Sequence, residues 1–271
     1  MRQSIYNLGR LSPKDLEIYS SLRVPDGPFF IRLDGWNFHS LAQRLGLRRP
    51  FDSSLASSLA ETAKELLKEF NAALAYLFSD EINLLFLKFT FFNRRIEKIN
   101  SILAGLASSS LYSLLKRRHE DTSPLSFDSR IIPVEGVDQI IGYLAWRQDE
   151  AYRNCYNAYA QHVLRASGGL SPKEAAERLR NLKVAQLRNL IEAYGINPER
   201  IPKWHFRGVV VYWESFERRG YDPVKRVVAL AKRRRVKIDW SPPSFNSKEG
   251  RNILLRWIGF SLRRGNRSAV I

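Results

Sequence analysis

Apolar and polar positions in the first half of the chain follow two different periods. Short, almost continuous apolar runs at 29–33, 73–87 and 129–134 have the length and composition of β-strands, and a Ser-Asp-Glu break makes the second run a hairpin. Apolar residues at steps of three and four predict helices over 53–70 and 94–115. The order strand, helix, strand, strand, helix, strand is that of the ferredoxin-like sheet, so an α/β (α+β) fold is expected.

The second half of the chain is predicted to be mainly helical. An apolar stripe predicts a helix over 137–166, and the capping box Ser-Pro-Lys-Glu at 171–174 starts another one. A further helix ends at Gly195, because glycine is the usual residue just past a helix end. Two β-like runs follow at 206–213 and 235–240. The expected architecture is therefore a ferredoxin-type sheet followed by a helical, hairpin-containing region.

Two acidic residues lie where predicted strands end. Asp34 closes the first apolar run and precedes Gly35, and glycine lets a backbone pass close to a ligand. Asp80 and Glu81 occupy the predicted hairpin turn, where Asn-Gly or Asp-Gly would be usual. Carboxylates that meet at strand ends hold Mg²⁺ in phosphoryl-transfer sites. The pair indicates a metal site, with a solvated turn as the alternative for either acid taken alone.

The net charge of +17 is divided unevenly along the 271 residues. Residues 1–135 carry 18 lysines and arginines against 15 aspartates and glutamates, whereas residues 136–271 carry 26 against 12. We therefore assign a catalytic domain to 1–135 and a basic region for nucleic-acid binding and assembly to 136–271. No apolar run reaches membrane-spanning length, no signal peptide is evident and Cys155 is the only cysteine, so a cytoplasmic protein without disulfides is expected.

Basic side chains open the predicted helix over 94–115. Arg94, Arg95 and Lys98 lie in its first turns, where the helix dipole is already positive, so a bound anion would resolve the conflict. Arg95 and Lys98 share a face at a spacing of three residues and are the candidate phosphate ligands. A solvated basic helix start is the alternative.

Two sets of polar residues in the second half are candidates for RNA contacts. On the helix over 137–166, Arg147, Glu150, Asn154 and Asn157 recur at steps of three or four, although such a stripe is more often a solvated face. Basic residues also cluster around the last two strands, where they could follow a phosphate backbone. These basic residues are Arg207, Lys232, Arg233, Arg234 and Arg235.

Six segments, in order, resemble the tRNA-His guanylyltransferase family and its archaeal and bacterial "like" proteins, the reverse-direction (3′-to-5′) nucleotide polymerases. They read IRLDGWNFH at 31–39, RPFD at 49–52, SDE at 79–81, RRIEKI at 94–99, FDSR at 127–130 and YLAWRQ at 143–148. The resemblance extends through about residue 200. It implies that the catalytic domain is similar to the palm of ordinary forward polymerases.

The resemblance also implies roles for individual residues. Two Mg²⁺ ions would be held by the carboxylates of Asp34 and Asp80 and by the carbonyl of Gly35, with Glu81 as a further catalytic acid. A nucleoside triphosphate would be bound by backbone amides of the first turn and by side chains around it. The nucleotide-binding residues are then Gly35, Trp36, Asn37, Phe38, His39, Arg49, Asp52, Ser79, Arg95 and Lys98.

The reaction implied by the resemblance has two steps. ATP or GTP activates a tRNA 5′-monophosphate, and the 3′-hydroxyl of an incoming nucleotide attacks the activated end. The implied partners are tRNA and nucleoside triphosphates, and the implied assembly is a homotetramer, a dimer of dimers. Eukaryotic members carry His-Ile-Asn-Asn where this chain reads AYRNCYN at 151–157, and the family's lysine is Arg49 here. These departures favour template-dependent repair of 5′-truncated tRNA over strict guanylate addition to tRNA-His.

Two other functions remain open from the sequence. A nucleotide cyclase could use the same palm and paired aspartates without RNA, but the strongly basic second half would then lack a purpose. A non-catalytic RNA-binding protein could have kept a polymerase-like scaffold. The sequence does not determine which tRNAs are substrates or whether ATP or GTP is preferred for activation.

Overall fold

The computed structural model describes residues 17–120, 122–222 and 227–265, which form one antiparallel sheet with helices on both faces. The strands are β1 (Phe29–Trp36), β2 (Leu74–Phe78), β3 (Glu81–Phe86), β4 (Ser126–Pro133), β5 (Val209–Asp222) and β6 (Val227–Asp239). The helices are α1 (Phe38–Arg44), α2 (Ser53–Glu69), α3 (Ile96–Lys116), α4 (Gly136–Ala166), α5 (Pro172–Leu179), α6 (Val184–Ala193), α7 (Lys203–Arg207) and α8 (Lys248–Gly265).

The sheet has the strand order β4-β1-β3-β2-β5-β6. Its first four strands follow the ferredoxin-like order, so the predicted strand and helix sequence of the first half is confirmed. β5, from the second half of the chain, pairs with β2 and continues the same sheet. The sheet therefore contains strands from both sides of residue 135, the boundary that the charge distribution suggests.

Alternating side chains of β1 separate the two layers of the core. Phe29, Ile31 and Leu33 pack on the side of α2 and α3, whereas Phe30 packs with residues of α4 and α8 on the other side. Side chains alternate between the faces of a strand, so Asp34 belongs to the same face as Phe30. The acid at the end of β1 consequently lies on the side of the sheet that α4 covers.

The predicted long helix is confirmed as α4, whose second half packs against α5, α6 and α7 in a separate apolar cluster. The predicted capping box begins α5. The hydroxyl of Ser171 accepts a hydrogen bond from the Glu174 amide at 3.3 Å, and the Glu174 carboxylate accepts one from the Ser171 amide at 2.8 Å. Of these helices, α4 and α7 line the cleft described below.

Three predicted boundaries are wrong. The helix expected from residue 94 begins at Ile96, because residues 92–94 have positive φ and Arg95 is an extended cap. The strand expected from residue 206 begins at Val209, since the preceding residues form α7. The basic run 232–235 lies inside β6 rather than before it, and α1 and α8 were not predicted. None of the helices in the described ranges is long and apolar enough to span a membrane.

Candidate active site

The two predicted metal-binding acids lie at one end of the sheet, Asp34 near the end of β1 and Asp80 in the turn between β2 and β3. Asp34 is paired with Glu81 in the register of β1 and β3, and the amide of Gly35 donates a hydrogen bond to the carbonyl of Asp80 over 3.2 Å. The hairpin turn consists of Ser79 and Asp80, because Glu81 is already the first residue of β3. Ser79 has the positive φ, 52°, that such a turn requires, so the turn predicted from the sequence is wrong by one residue.

The surroundings of Asp80 disfavour an uncompensated negative charge. Burial raises the pKa of its carboxyl, hydrogen bonds from the Ser79 hydroxyl and its own amide lower it, and the charges of Asp34 and Glu81 raise it again, so the pKa is above its ordinary value. A divalent cation beside the carboxylates would remove this conflict. Carboxylate and carbonyl oxygens are also the donors that Mg²⁺ prefers. The residues present therefore fit the ion.

The donor set is small. No group of three or more His, Cys, Asp or Glu side chains in the described parts of the chain could hold a metal ion. Two carboxylates and the carbonyl of Gly35 would leave several positions of an octahedral Mg²⁺ for water and phosphate oxygens, which is how this ion binds at nucleotide sites.

Gly35 has a packing role as well. A Cβ atom there would lie 2.6 to 2.7 Å from ring atoms of Phe38, which is buried and contacts the Phe127 ring edge-on with centroids 5.1 Å apart. Glycine is therefore the residue that allows Phe38 to pack under the turn. Trp36, between Asp34 and the turn, leaves 70% of its surface exposed beside the site.

A tight turn joins β1 to α1. Asn37 adopts the left-handed conformation, with φ 57°, and its carbonyl accepts hydrogen bonds from the amides of Ser40 (3.1 Å) and Leu41 (3.3 Å). The first amides of a helix lack partners within it, and here they belong to Phe38 and His39. The turn thus presents backbone donors beside the acids, as a phosphate cradle requires.

A cleft of about 650 Å³ extends from this turn to α4 and α7. A nucleotide-sized ligand needs a concave site of several hundred Å³. The cleft brings together eight of the predicted site residues, namely Phe38, His39, Arg49, Asp52, Ser79, Asp80, Asn154 and Asn157. These eight predicted residues, from separate parts of the chain, therefore lie around one cleft.

Asp52 supports the loop that carries Arg49. Its carboxylate accepts hydrogen bonds from the amides of Ser54 (2.8 Å), Leu55 (3.0 Å) and Arg48 (3.0 Å), and it caps α2. Burial raises its pKa, but these hydrogen bonds and that of the Ser54 hydroxyl outweigh burial, so the pKa is lowered. Asp52 thus fixes the shape of the cleft wall.

One end of the cleft, beside α7, is aromatic. The His205 ring lies 4.6 Å from the Phe51 ring and 3.9 Å from the Trp204 ring, and its Nδ1 is 2.8 Å from the Tyr159 hydroxyl. Burial lowers the pKa of His205 to about 4, so the imidazole is neutral at pH 7. Sequence reasoning missed this cluster, because its members come from three distant segments and no spacing connects them.

Two predicted site residues form a buried ion pair with each other. Arg147 is 8% exposed and Glu81 is 6% exposed, and the guanidinium donates to both carboxylate oxygens at 2.9 and 2.7 Å. The prediction that Arg147 lies on an exposed polar stripe is therefore wrong, and its guanidinium is already bound to Glu81. The prediction of Glu81 as a catalytic acid is not supported either, because its oxygens already accept hydrogen bonds.

The basic start of α3 has its own counter-ions. Arg94 pairs with Asp26 at 2.6 Å and Arg95 pairs with Glu97, so the conflict inferred from the sequence is largely relieved within the protein. Lys98 is exposed in the first turn of α3. Neither Arg95 nor Lys98 lines the cleft that contains Asp80. The structure does not bring these two candidate phosphate ligands together with the rest of the site.

Basic residues line the outer part of the β5–β6 hairpin. Lys232, Arg233, Arg234 and Arg235 are exposed in β6. Arg235 pairs with Glu214 at 2.7 Å, and Arg234 lies over the Trp213 ring at 3.9 Å. Arg218 and Arg219 of β5 add further exposed charge on the same hairpin. We call residues 214–222 and 227–235 the basic hairpin.

The remaining candidates for RNA contacts lie apart from the basic hairpin. Asn154 and Asn157 face the cleft from α4. Arg207 ends α7, and its guanidinium donates a hydrogen bond to the carbonyl of Pro242 at 3.3 Å. Arg207 therefore helps to join α7 to the segment after β6, and its side chain is partly exposed.

Both halves of the chain match known protein domains. Residues 13–135 match the family described as tRNAHis guanylyltransferase, and residues 138–241 match the Thg1 C terminal domain. A probable tRNA(His) guanylyltransferase of Mus musculus is 29% identical over 194 residues, which cover 69% of this chain and 65% of the mouse protein. The corresponding Dictyostelium discoideum protein is 30% identical, with 67% and 73% covered.

Solved structures show the same architecture. A bacterial tRNA(His) guanylyltransferase-like protein in complex with ATP superposes with a TM-score of 0.66 at 25% identity, covering 88% of this chain and 93% of that one. The Saccharomyces cerevisiae enzyme superposes with a TM-score of 0.64 at 22% identity, covering 73% and 90%. The ferredoxin-like sheet and the acidic turns above the cleft thus define a polymerase-palm-like protein. The chain belongs to the tRNA(His) guanylyltransferase family.

Proposed function

We propose that this protein is a nucleotidyltransferase that adds nucleotides to the 5′ end of tRNA in the 3′-to-5′ direction, using ATP or GTP to activate the end. The observation that carries the proposal is the position of Asp80. This acid is tied to the turn after Asp34 through the Gly35 amide, and it also lines the nucleotide-sized cleft. A metal-binding acid and a nucleotide pocket are then parts of one site.

The cleft and its turn would bind the nucleotide. Amides of Phe38 and His39 would donate to phosphate oxygens at the start of α1, and Ser79 and Arg49 lie on the cleft wall. The aromatic end of the cleft offers ring faces for a base. A family relative that binds ATP supports this use of the cleft.

The metal site would consist of Asp34, Asp80 and the carbonyl of Gly35, and we propose that it holds two Mg²⁺ ions. Bound Mg²⁺ stabilises the charge that develops on phosphate oxygens during displacement. The protein positions these donors through the β1–β3 pairing and the hydrogen bond from Gly35 to Asp80. Its further contribution is to hold the triphosphate and the tRNA end in line, because phosphoryl transfer depends on positioning.

The tRNA would contact the basic hairpin. Its arginines and lysine are exposed and lie outside the catalytic cleft, as expected for residues that follow a phosphate backbone without taking part in chemistry. We retain a homotetramer, a dimer of dimers, as part of the proposal from the family resemblance. Light scattering of the purified protein measures the assembly directly.

One incubation tests the function. Purified protein is mixed with Mg²⁺, labelled GTP, ATP and a 5′-monophosphorylated tRNA that lacks its first nucleotide. We expect label at the tRNA 5′ end, and we expect the added nucleotide to be the complement of the opposing 3′-strand base. Formation of cyclic nucleotide would contradict the proposal in favour of a cyclase. Binding of tRNA without any nucleotide product would contradict it in favour of a non-catalytic RNA-binding protein.

A further inference from the structure

We infer that Glu81 and Arg147 form a positioning clamp, which ties the turn that carries Asp80 to the long helix α4, and that neither residue binds metal or RNA. This inference rests on the proposed function, because the positioned group is the metal-binding acid of that reaction. It assigns a new role to two residues for which the sequence suggests direct contacts with ligands.

The clamp is built from a complete set of hydrogen bonds. Glu81 Oε1 accepts from Arg147 Nε at 2.9 Å and from Asn83 Nδ2 at 2.7 Å, while Oε2 accepts from the second guanidinium nitrogen at 2.7 Å. The Nε of Arg32 lies 4.0 Å from the same carboxylate. Two arginines therefore neutralise Glu81, which leaves it a weak partner for a cation.

A second layer holds the clamp in place. Asn83 accepts a hydrogen bond from the Tyr143 hydroxyl at 2.7 Å, which makes a second link between β3 and α4. The next residue of α4 after Arg147, Gln148, donates to the carbonyls of Arg207 and Pro243 at 3.1 Å and accepts from the Phe245 amide at 2.7 Å. The helix is thus fixed on both sides of Arg147.

The clamp can position both metal-binding acids because Glu81 is next to each of them. Glu81 directly follows Asp80, and it is paired with Asp34 in the sheet. A movement of Glu81 would consequently move both acids. Metal-assisted displacement tolerates errors of only about 1 Å, so a rigid ion pair beside the acids has a direct effect on catalysis. The guanidinium also lies 5.0 Å from the Phe78 ring, on the other side of the turn.

A double-mutant cycle tests the clamp. The variants are Glu81→Gln, Arg147→Met and the double variant, with Arg153→Met as a control, because Arg153 is exposed on the same helix. Each protein is measured for its unfolding temperature in EDTA, its tRNA affinity, and its rate of label addition against Mg²⁺ concentration. The unfolding temperature measures the contribution of the ion pair to stability in the absence of metal and substrate.

The clamp predicts that Glu81→Gln partly rescues Arg147→Met. Arg147→Met leaves a buried carboxylate without its partner, which is strongly unfavourable, whereas Glu81→Gln in the same chain removes that charge. We expect Arg147→Met to lower the rate by about a hundredfold, to raise the Mg²⁺ requirement, and to leave tRNA affinity within about twofold. The double variant should be at least about tenfold faster than Arg147→Met, and it should recover part of the lost unfolding temperature. Arg153→Met should change none of these by more than about twofold.

Two results would overturn the clamp. If Arg147→Met weakened tRNA binding about tenfold and Glu81→Gln gave no rescue, Arg147 would be an RNA contact. If folded Glu81→Gln were as inactive as Asp80→Asn, Glu81 would be a metal ligand. A wild-type protein that added no nucleotide would count against the proposed function only, because the unfolding temperatures in EDTA would still decide whether the two residues are coupled.

Discussion

The amide of Gly35 donates a hydrogen bond to the carbonyl of Asp80 over 3.2 Å, and this bond joins the end of β1 to the turn that carries Asp80. It connects residues 45 positions apart in the chain. Backbone pairing therefore brings the two acids to the same end of the sheet.

The pKa of Asp80 leads to a prediction about stability. A carboxyl whose folded pKa lies above its unfolded value destabilises the folded state at neutral pH, and this cost disappears as the pH falls below the unfolded value near 3.8. Asp80→Asn should therefore unfold at a higher temperature than wild type at pH 7 in EDTA, with a difference that shrinks toward pH 4. Mg²⁺ should stabilise wild type and not the variant. Equal unfolding temperatures across this pH range would contradict the account.

Gly35→Ala tests the packing under the turn. The added methyl group would meet the Phe38 ring at 2.6 to 2.7 Å, so the ring or the turn must move. We expect a loss of about 1 to 3 kcal/mol in the free energy of unfolding and a large loss of nucleotide addition. Gly105→Ala is the matched control, because nothing lies within 4 Å of its added Cβ and the residue is inside α3. That variant should be as stable as wild type or more so.

The low pKa of His205 predicts that the folded state loses stability at acid pH. Its folded pKa, about 4, lies below the ordinary value of 6.5, so protonation favours the unfolded chain. The contribution of the neutral imidazole to the free energy of unfolding is fully present above pH 6.5. It is lost as the pH drops from 6.5 toward 4, by up to about 3 kcal/mol. His205→Gln should flatten this part of the curve of unfolding free energy against pH. A His205 resonance that titrates near pH 6.5 in NMR would show that the imidazole is not held neutral.

The basic hairpin predicts how salt affects tRNA binding. Lys232→Ala with Arg233→Ala should flatten the log–log slope of affinity against salt by about 1 to 2 units, because each phosphate contact contributes about one. Arg235→Ala with Lys237→Ala should flatten it less, since both of these side chains are paired with Glu214. The same slope for both double variants would mean that the exposed charges are not the RNA contacts.

The sequence predicted the sheet well because its signals are local. The β-strand runs, the helix over 53–70 and the capping box at 171–174 each depend on residues close in the chain, and the structure has all of them. The helix predicted from residue 94 starts late because positive φ values at 92–94 interrupt it, and apolar periodicity does not report backbone strain.

The errors in the site have a tertiary cause. The sequence predicts an exposed Arg147 because this residue recurs with other polar residues at helical spacing. Its partner Glu81 is 66 positions away in the chain, so no local pattern reports the ion pair. Charge alone does not distinguish a buried ion pair from a ligand contact. Arg95 is a different case, because its carboxylate partner Glu97 is only two residues away in the sequence. That pairing could have been inferred from the residues.

The most direct test of the metal site is the rate of labelled nucleotide addition to 5′-truncated tRNA by Asp34→Asn and Asp80→Asn, with tRNA affinity measured on the same samples. Removing either acid should lower the rate by about a thousandfold or more, since metals at the reacting phosphates supply several kcal/mol of stabilisation. The affinity should stay within about twofold of wild type, because the basic hairpin is unchanged. A folded Asp80→Asn protein that kept a tenth of the wild-type rate would contradict the assignment of these two acids as the metal site.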